Sequence, residues 1–417
     1  MIIDPKQESA LVFTLFYPYT SFDYYVDIEI EMLCNKFKTV YIVPSNIVGD
    51  LVRPLPANAI LLNMKSETNG LKFKKFVWLS TDYACEIWEA FKQGKLNFTL
   101  FKHISIQFKK VAAFKRLLQS VFAKDKDLHF VYSHWMLEGA YAAAFLKKSF
   151  NFIQVSKAHS LDIYKERHIK NYIPFLKSTV VNINQIHFIS QVGMNYFKSN
   201  YNFGIEASKL FVSRLGIRNT REYREYISTD TLRIISVCYI YPLKRVELIL
   251  AAIAEIDEFK VEWHHIGAYY PEHTDKLKQE AQVVLKQHQN LCIHWVGDLS
   301  VPEVYEYYNN HSFDLFVSTS SSEGIPVSMM ECMSFGIPVV STNVGGVAEI
   351  VEHQKNGFLL DSNVNPKAIA QYLRDYFYMA QHEKSRYRLN AYNKWKTEYN
   401  ADVNYKKFID KAFNRKE

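Results

Sequence analysis

Apolar, β-branched runs of strand length alternate along the whole chain with longer stretches in which apolar residues recur at helical spacing. Such alternation is the mark of βαβ units and parallel sheets, whose strands are covered on both faces and read as almost unbroken apolar runs. Residues 10–16, 38–44, 130–135, 151–159 and 185–190 predict the strands of a first sheet, which residues 209–217 close. The polar, charge-rich stretch 218–231 then breaks the pattern as a linker would. A second series follows at 232–240, 260–268, 291–298, 313–321 and 337–344. At 417 residues the chain exceeds the length at which one core stops growing. The expectation is therefore α/β, with two doubly wound domains facing each other across a cleft. They would occupy residues 1–217 and 218–395, and a C-terminal helical segment, 396–417, would pack back on the first domain.

Composition narrows the class. The chain is 48% hydrophobic and 22% charged, as a globular protein is. Its 15% aromatic content suits sugar or lipid surfaces or, more simply, aromatic-filled cores. No uncharged apolar run reaches the roughly 18 residues of a membrane span, and the N-terminus does not read as a signal peptide, so a cytoplasmic protein is expected. Cys34, Cys85, Cys238, Cys292 and Cys332 form no CxxC pair. Reduced thiols follow, with neither a disulfide framework nor a structural zinc site.

The net charge of +7 is modest but uneven. Residues 101–126 interleave seven lysines and arginines with apolar residues at partly helical spacing, a basic amphipathic helix. Such a helix either docks on an anionic membrane surface, where each basic residue adds about 1 kcal/mol, or lays its apolar face on the core with its lysines in water. No recognition motif for nucleic acid accompanies the charge. No strand is followed by GxGxxG, which disfavours a nicotinamide oxidoreductase.

The candidate chemistry lies in "SSSEGIPVSMMECMSFGIPVVSTNVGGVAEIV", residues 320–351. Pro326 suits the first position of a helix and Gly336 the residue just past its end, predicting a helix over 326–335. Glu323 then lies in the loop after a strand, where open α/β sheets bind ligands, and Glu331 projects from the helix. The helix N-terminus offers backbone N–H groups and a positive dipole end to a phosphate. Eight helical residues separate two carboxylates by roughly 12 Å, beyond the roughly 5 to 9.5 Å of a glycosidase pair. Two carboxylates spaced along one elongated ligand, each accepting from a pair of hydroxyls, fit better, and a nucleotide sugar has that shape.

Glu323 and Glu331 form an E-x7-E pattern, and with the "GIPVVSTNVGGVAEIV" that follows it resembles the donor-site signature of retaining GT-B glycosyltransferases in the glycogen synthase-like family (glycosyltransferase family 4, group 1). "VSKAHSLDIYKERH" and "FVSRLGI" are similar to segments of the bacterial polysaccharide branch. The resemblance covers most of the chain and implies GT-B architecture with two Rossmann-like domains. It implies that Glu323 holds hydroxyls of the donor sugar, with His159 beside the transferred sugar. Gly324, Ile325, Pro326 and Val327 would line the sugar and phosphates, and Glu331 would hold the ribose. Lys244 and Arg245, in "ISVCYIYPLKRVELIL", match the family's basic pair for the diphosphate. Tyr239 and Cys238 stand where the family usually has an arginine and a glycine, so either Arg245 replaces the missing charge or the donor is held more weakly. The loop 17–25 is glycine-free where many relatives are glycine-rich, and serves either the acceptor or a donor seated differently.

With no DxD-like metal motif, neither a metal nor another cofactor is expected for donor binding. In the family's proposed front-face mechanism the leaving phosphate takes the acceptor proton, so no side chain is assigned as general base. The implied activity is transfer from a nucleotide-sugar donor to a lipid-linked or oligosaccharide acceptor in capsule, exopolysaccharide or lipopolysaccharide synthesis. It would take place in the cytoplasm or peripherally on the inner face of the cell membrane. The alternatives are a non-catalytic partner subunit and a sugar-nucleotide epimerase on the same fold. His134 reads as a core histidine, and Asp27, Glu29 and Glu31 as structural.

Overall fold

The structure is a computed structural model that describes residues 5–20, 24–50, 53–62 and 80–413. The chain divides into two compact units, Met1–Arg214 with Tyr405–Glu417, and Leu215–Asn404.

In the first unit, strands β1 (Ser9–Thr14), β2 (Thr39–Pro44), β3 (Ala59–Leu61), β4 (Leu128–Ser133), β5 (Ile153–Ala158), β6 (Gln185–Phe188) and β7 (Leu210–Val212) form one sheet in the order β3-β2-β1-β4-β5-β6-β7. In the second, β8 (Thr231–Val237), β9 (Lys260–Ile266), β10 (Leu291–Gly297), β11 (Leu315–Ser318), β12 (Val339–Thr342) and β13 (Gly357–Leu360) are ordered β10-β9-β8-β11-β12-β13. Every strand pairing is parallel. Both sheets are thus doubly wound, reversing direction between β1 and β4 and between β8 and β11. Central β1 is buried at all six positions, which is why its sequence reads as an apolar run. β3 and β13, at sheet edges, are apolar too but only three and four residues long, too short to stand out in the sequence.

The stretch 218–231 does not behave as a linker, because its polar side chains are bonded within the second unit. Asn219 donates to Ser334 Oγ at 2.9 Å and Ser228 Oγ to Asp314 at 2.6 Å. Ile217 bridges to Asn400, and a Cβ on Gly216 would stand 2.7 Å from Ala401 Cα. Residues 396–404 therefore stay with the second unit, and the chain rejoins the first from Tyr405, part-way along a C-terminal helix (Ala401–Phe413).

The first unit spends its basic helix on its own core. The helix containing residues 101–124 runs over Phe98–Lys124, capped by Asn97, which accepts from Leu100 N–H at 2.8 Å. Ile104, Phe108, Val111, Phe114, Leu118 and Phe122 are buried in the core, so this apolar face is not offered to a bilayer. Lys110 and Lys115 pair with Glu138 and Asp82, at 3.8 and 3.0 Å. The membrane reading of the amphipathic pattern is corrected accordingly: any attraction of this helix to an anionic surface rests on charges such as Lys102, Lys109 and Arg116.

Beneath the sheet's carboxyl edge sits a buried ion pair. Glu29, on helix α1 (Tyr25–Lys36), accepts from Lys157 Nζ at 2.7 Å and Tyr132 Oη at 2.9 Å, and lies 2.8 Å from His134 Nδ1. Lys157 also lies over the rings of Tyr405 and Phe408, at 4.6 and 4.4 Å, which joins the C-terminal residues to this core. Burial would raise the Glu29 carboxyl, but Lys157 and His134 more than offset it and hold it at about 2. A folded value below the unfolded one contributes stability that is present above pH 4.5 and lost as pH falls toward 2. Glu29→Gln, which leaves Lys157 buried without its counter-ion, should cost about 3–5 kcal/mol in chemical denaturation. Glu31→Gln, on the exposed face of the same helix, should stay within about 0.5 kcal/mol.

Candidate functional site

Strand order reverses between β8 and β11, and there the loops following the two strands are free to diverge and form a crevice. After β8 comes a short 3₁₀ turn, Pro242–Lys244, then Arg245 in the left-handed region at φ +48°, then helix α2 (Glu247–Ile253). After β11 comes the loop 319–326 and helix α3 (Val327–Ser334), with Pro326 as its N-cap and Gly336, at φ +71°, just beyond its C-cap. The helix thus falls one residue inside each predicted end. Across this junction Lys244 Nζ meets Glu323 Oε1 at 2.6 Å.

The two loops are bonded to each other along their length. Arg245 Nε donates to Thr319 O at 2.7 Å, and its Nη2 donates to Ser320 O and Ser362 O at 3.2 and 2.9 Å. Thr319 Oγ1 returns bonds to Lys244 O and Arg245 O, and Ser321 N–H donates to Leu243 O at 2.7 Å. Arg245 is therefore a clamp on three carbonyls, and Lys244 is the cation presented beside Glu323. From the far side the turn after β12 supports the Glu323 loop. Gly346 N–H donates to Gly324 O at 2.8 Å, and a Cβ on Gly345, itself at φ +55°, would stand 2.0 Å from Glu323 O. Only glycine permits that approach with that φ.

The other expected residues fall as follows. Gly324 and Val327 are partly exposed, and Ile325 and Pro326 are buried. Glu331 is 6% exposed, so it is not a charge on the helix surface. Tyr239 is 50% exposed on the loop after β8, and Cys238 N–H bonds to Ile266 O. His159 belongs to the other unit, where it follows β5 and precedes the turn Ser160–Ile163. Its ring is buried, stacked on Trp135 at 3.9 Å, with Nε2 bonded to His134 O at 2.9 Å. Burial pushes its pKa well below the usual histidine value, so the ring is neutral. Asp162 Oδ2 accepts from the N–H groups of His159 and Met136, and burial raises this carboxyl to about 7. His134 is wholly buried in the Glu29 cluster. Of the glycine-free loop 17–25, residues 21–23 lie outside the described residues.

Residues 220–394 match the family described as glycosyl transferases group 1. Over those residues the second unit is similar to the group 1 glycosyltransferases. A curated relative of that class, the putative colanic acid biosynthesis glycosyltransferase WcaL of Escherichia coli K12, is 28% identical over 211 residues, 48% of this chain and 50% of its own. The chain spans about half the length of the WcaL relatives it matches. In fold the likeness extends over nearly the whole chain. Sucrose-phosphate synthase of Thermosynechococcus elongatus superposes with a TM-score of 0.69 at 13% identity, covering 96% of this chain and 97% of that one. Anabaena Alr3699/HepE, solved in complex with UDP, gives 0.63 at 14% identity, covering 97% and 99%. The fold is GT-B, and the segment that matches the group 1 model is built around the β8–β11 junction.

Thr319, Ser321, Gly345 and Arg245 hold the two loops in place, a part the sequence did not disclose. The run of serines and threonines before Glu323 was the available signal, since such side chains bond readily to nearby backbone. Replacing Arg245 separates its two roles. Arg245→Ala and Arg245→Gly both delete the clamp, but only glycine relieves the left-handed backbone. The glycine variant should be the more stable by about 1 kcal/mol, or roughly 2–4 °C in unfolding temperature.

Proposed function

We propose that the protein is a retaining glycosyltransferase that uses a nucleoside-diphosphate sugar and acts in bacterial polysaccharide synthesis. The Lys244–Glu323 pair at the β8–β11 junction carries this reading. A diphosphate gains charge as it departs, and an ammonium held in place stabilises it without reorganising. Glu323, an acceptor with several lone-pair positions, can serve Lys244 and a sugar hydroxyl together. The first turn of α3 presents backbone N–H groups and its positive dipole end on the same side. Gly324 to Val327 lead into that turn, and Glu331 one turn further along serves the ribose.

His159 enters as a positioning residue. Its Nε2 is committed to a backbone carbonyl and burial lowers its pKa well below the usual histidine value, which makes the ring a poor proton acceptor. That accords with a reaction in which the leaving diphosphate accepts the acceptor's proton. HepE's complex with UDP supports a uridine donor as the first to try. Donor binding is expected to need no metal ion.

A lipid-linked acceptor is the reading for the first unit. The face expected to meet the membrane is not the apolar side of the long helix but the surface at its start. Phe98 at that start is 82% exposed, and Trp88 and Phe91 on the preceding helix (Thr81–Lys92) are 55% and 60% exposed, with Lys92 over the Trp88 ring at 5.4 Å. Exposed aromatic groups with lysines suit the headgroup level of a bilayer.

Unfolding temperature measured against UDP-, GDP-, ADP-, dTDP- and CMP-sugars tests the donor. One class at a hundred times its dissociation constant should add about 2.7 kcal/mol, with or without chelator. No shift with any class would favour a non-catalytic partner subunit. Glu323→Ala should lower transfer by at least about 100-fold with the fold intact, the scale of one preorganised transition-state contact. The product's anomeric configuration, read by NMR, should match the donor's. Replacing Trp88, Phe91 and Phe98 together by serine should release the protein from anionic phosphatidylglycerol vesicles, and unchanged binding would remove that surface from the acceptor's path.

A further inference from the structure

Beyond the donor site, β9 and β10 carry a cluster to which the proposed reaction assigns no task. In a strand, residues i and i+2 share a face, so Glu262 with His264 on β9, and Cys292 with His294 on β10, each form such a pair. The register sets them directly opposite, Cys292 against Glu262 and His294 against His264. Four metal-ligating side chains of three chemical kinds therefore meet on one face at the edge of the second sheet.

The ligand atoms of three of them have already converged, and the thiol of the fourth lies beside one of these. Glu262 Oε1 lies 2.9 Å from His264 Nε2 and 3.1 Å from His294 Nε2, and the ligand atoms of these three residues all lie within 4.8 Å of one another. Cys292 Sγ is 3.3 Å from His294 Nε2. A tetrahedral zinc ion with bonds of about 2.1 Å has ligand–ligand edges of about 3.4 Å, so small adjustments would admit it. The second oxygen of Glu262 accepts from Arg233 Nε at 2.9 Å, which fixes the carboxylate with Oε1 toward the histidines. His264 Nδ1 is 2.6 Å from Tyr307 Oη, the outer partner that a metal-bound imidazole needs to fix its tautomer. His264 is buried, while Cys292 and His294 on the edge strand are exposed, which gives an ion a way in.

We propose that Glu262, His264, Cys292 and His294 form a binding site for one zinc-class divalent cation. Imidazole and thiolate ligands select Zn²⁺ over Mg²⁺ or Ca²⁺. On binding, neutral His264 keeps its proton on Nδ1, where the N–H hydrogen-bonds to Tyr307 Oη, and Cys292 releases its thiol proton to solvent. The ion ties the edge strand β10 to β9.

The test is calorimetric titration of the full chain with Zn²⁺ after chelator treatment, paired with the Co²⁺ electronic spectrum. One ion per chain is expected, with a four-coordinate cobalt spectrum bearing a thiolate charge-transfer band that Cys292→Ser abolishes. His294→Ala, at an exposed position, should weaken zinc binding by at least about tenfold, the lower scale for losing even an outer partner. Absence of stoichiometric binding, unchanged affinity in His294→Ala, or a cobalt spectrum without the thiolate band would each overturn the proposal. None of these readouts depends on glycosyl transfer.

Discussion

Parallel strands must be joined by crossovers, and a sheet that winds outward in both directions from its middle leaves one place where neighbouring strands send their following loops apart. In the second unit that place is the gap between β8 and β11, strands adjacent in space but more than seventy residues apart in sequence. The crevice there depends on the loops being held at fixed separation. Arg245 accomplishes this by occupying three carbonyls from two other loops, and accepts a left-handed backbone to do so. Strain of that kind persists only where surrounding bonds over-determine it. Gly345 and Gly346 close the assembly from the opposite side, where any side chain would strike the Glu323 loop. Lys244 and Glu323 face each other as the consequence of these restraints.

The first unit uses the same winding for a different end. At its β1–β4 reversal the polar groups are drawn inward, and Glu29, His134, Lys157 and Tyr132 form a buried cluster. A buried charge is tolerable when its partner and hydrogen bonds are in place and costly when one is removed. This cluster roots α1 and anchors the C-terminal residues through Lys157 and two aromatic rings, so a distant part of the sequence completes the first core.

Much of this architecture is written in local sequence pattern. All strands but β3 and β13 follow from apolar runs, and helix α3 from Pro326 and Gly336, because burial on both faces and helix termini leave local marks. What escaped depends on pairing between distant segments. Glu29 reads as one acid among three on a helix until Lys157, far away in sequence, is brought beside it. Arg245 reads as a second phosphate cation until three backbone carbonyls surround it. Residues 218–231 look like a linker because they are polar, yet their polarity serves hydrogen bonds to their own unit. The cysteines show no CxxC, but Cys292 joins His294, Glu262 and His264 once two strands are placed in register. The apolar stripe of residues 101–126 has one periodicity whether it meets a bilayer or a core, and only packing distinguishes them.

The account rests most directly on Lys244 as the diphosphate cation, and isothermal titration of nucleoside diphosphates into the wild-type protein and Lys244→Met measures that role without requiring an acceptor. The prediction is that the diphosphate bound by the wild type binds Lys244→Met at least about tenfold more weakly, a loss of about 1.4 kcal/mol, while the unfolding temperature stays within a few degrees. Equal affinity in the two proteins would contradict the assignment and place the diphosphate elsewhere.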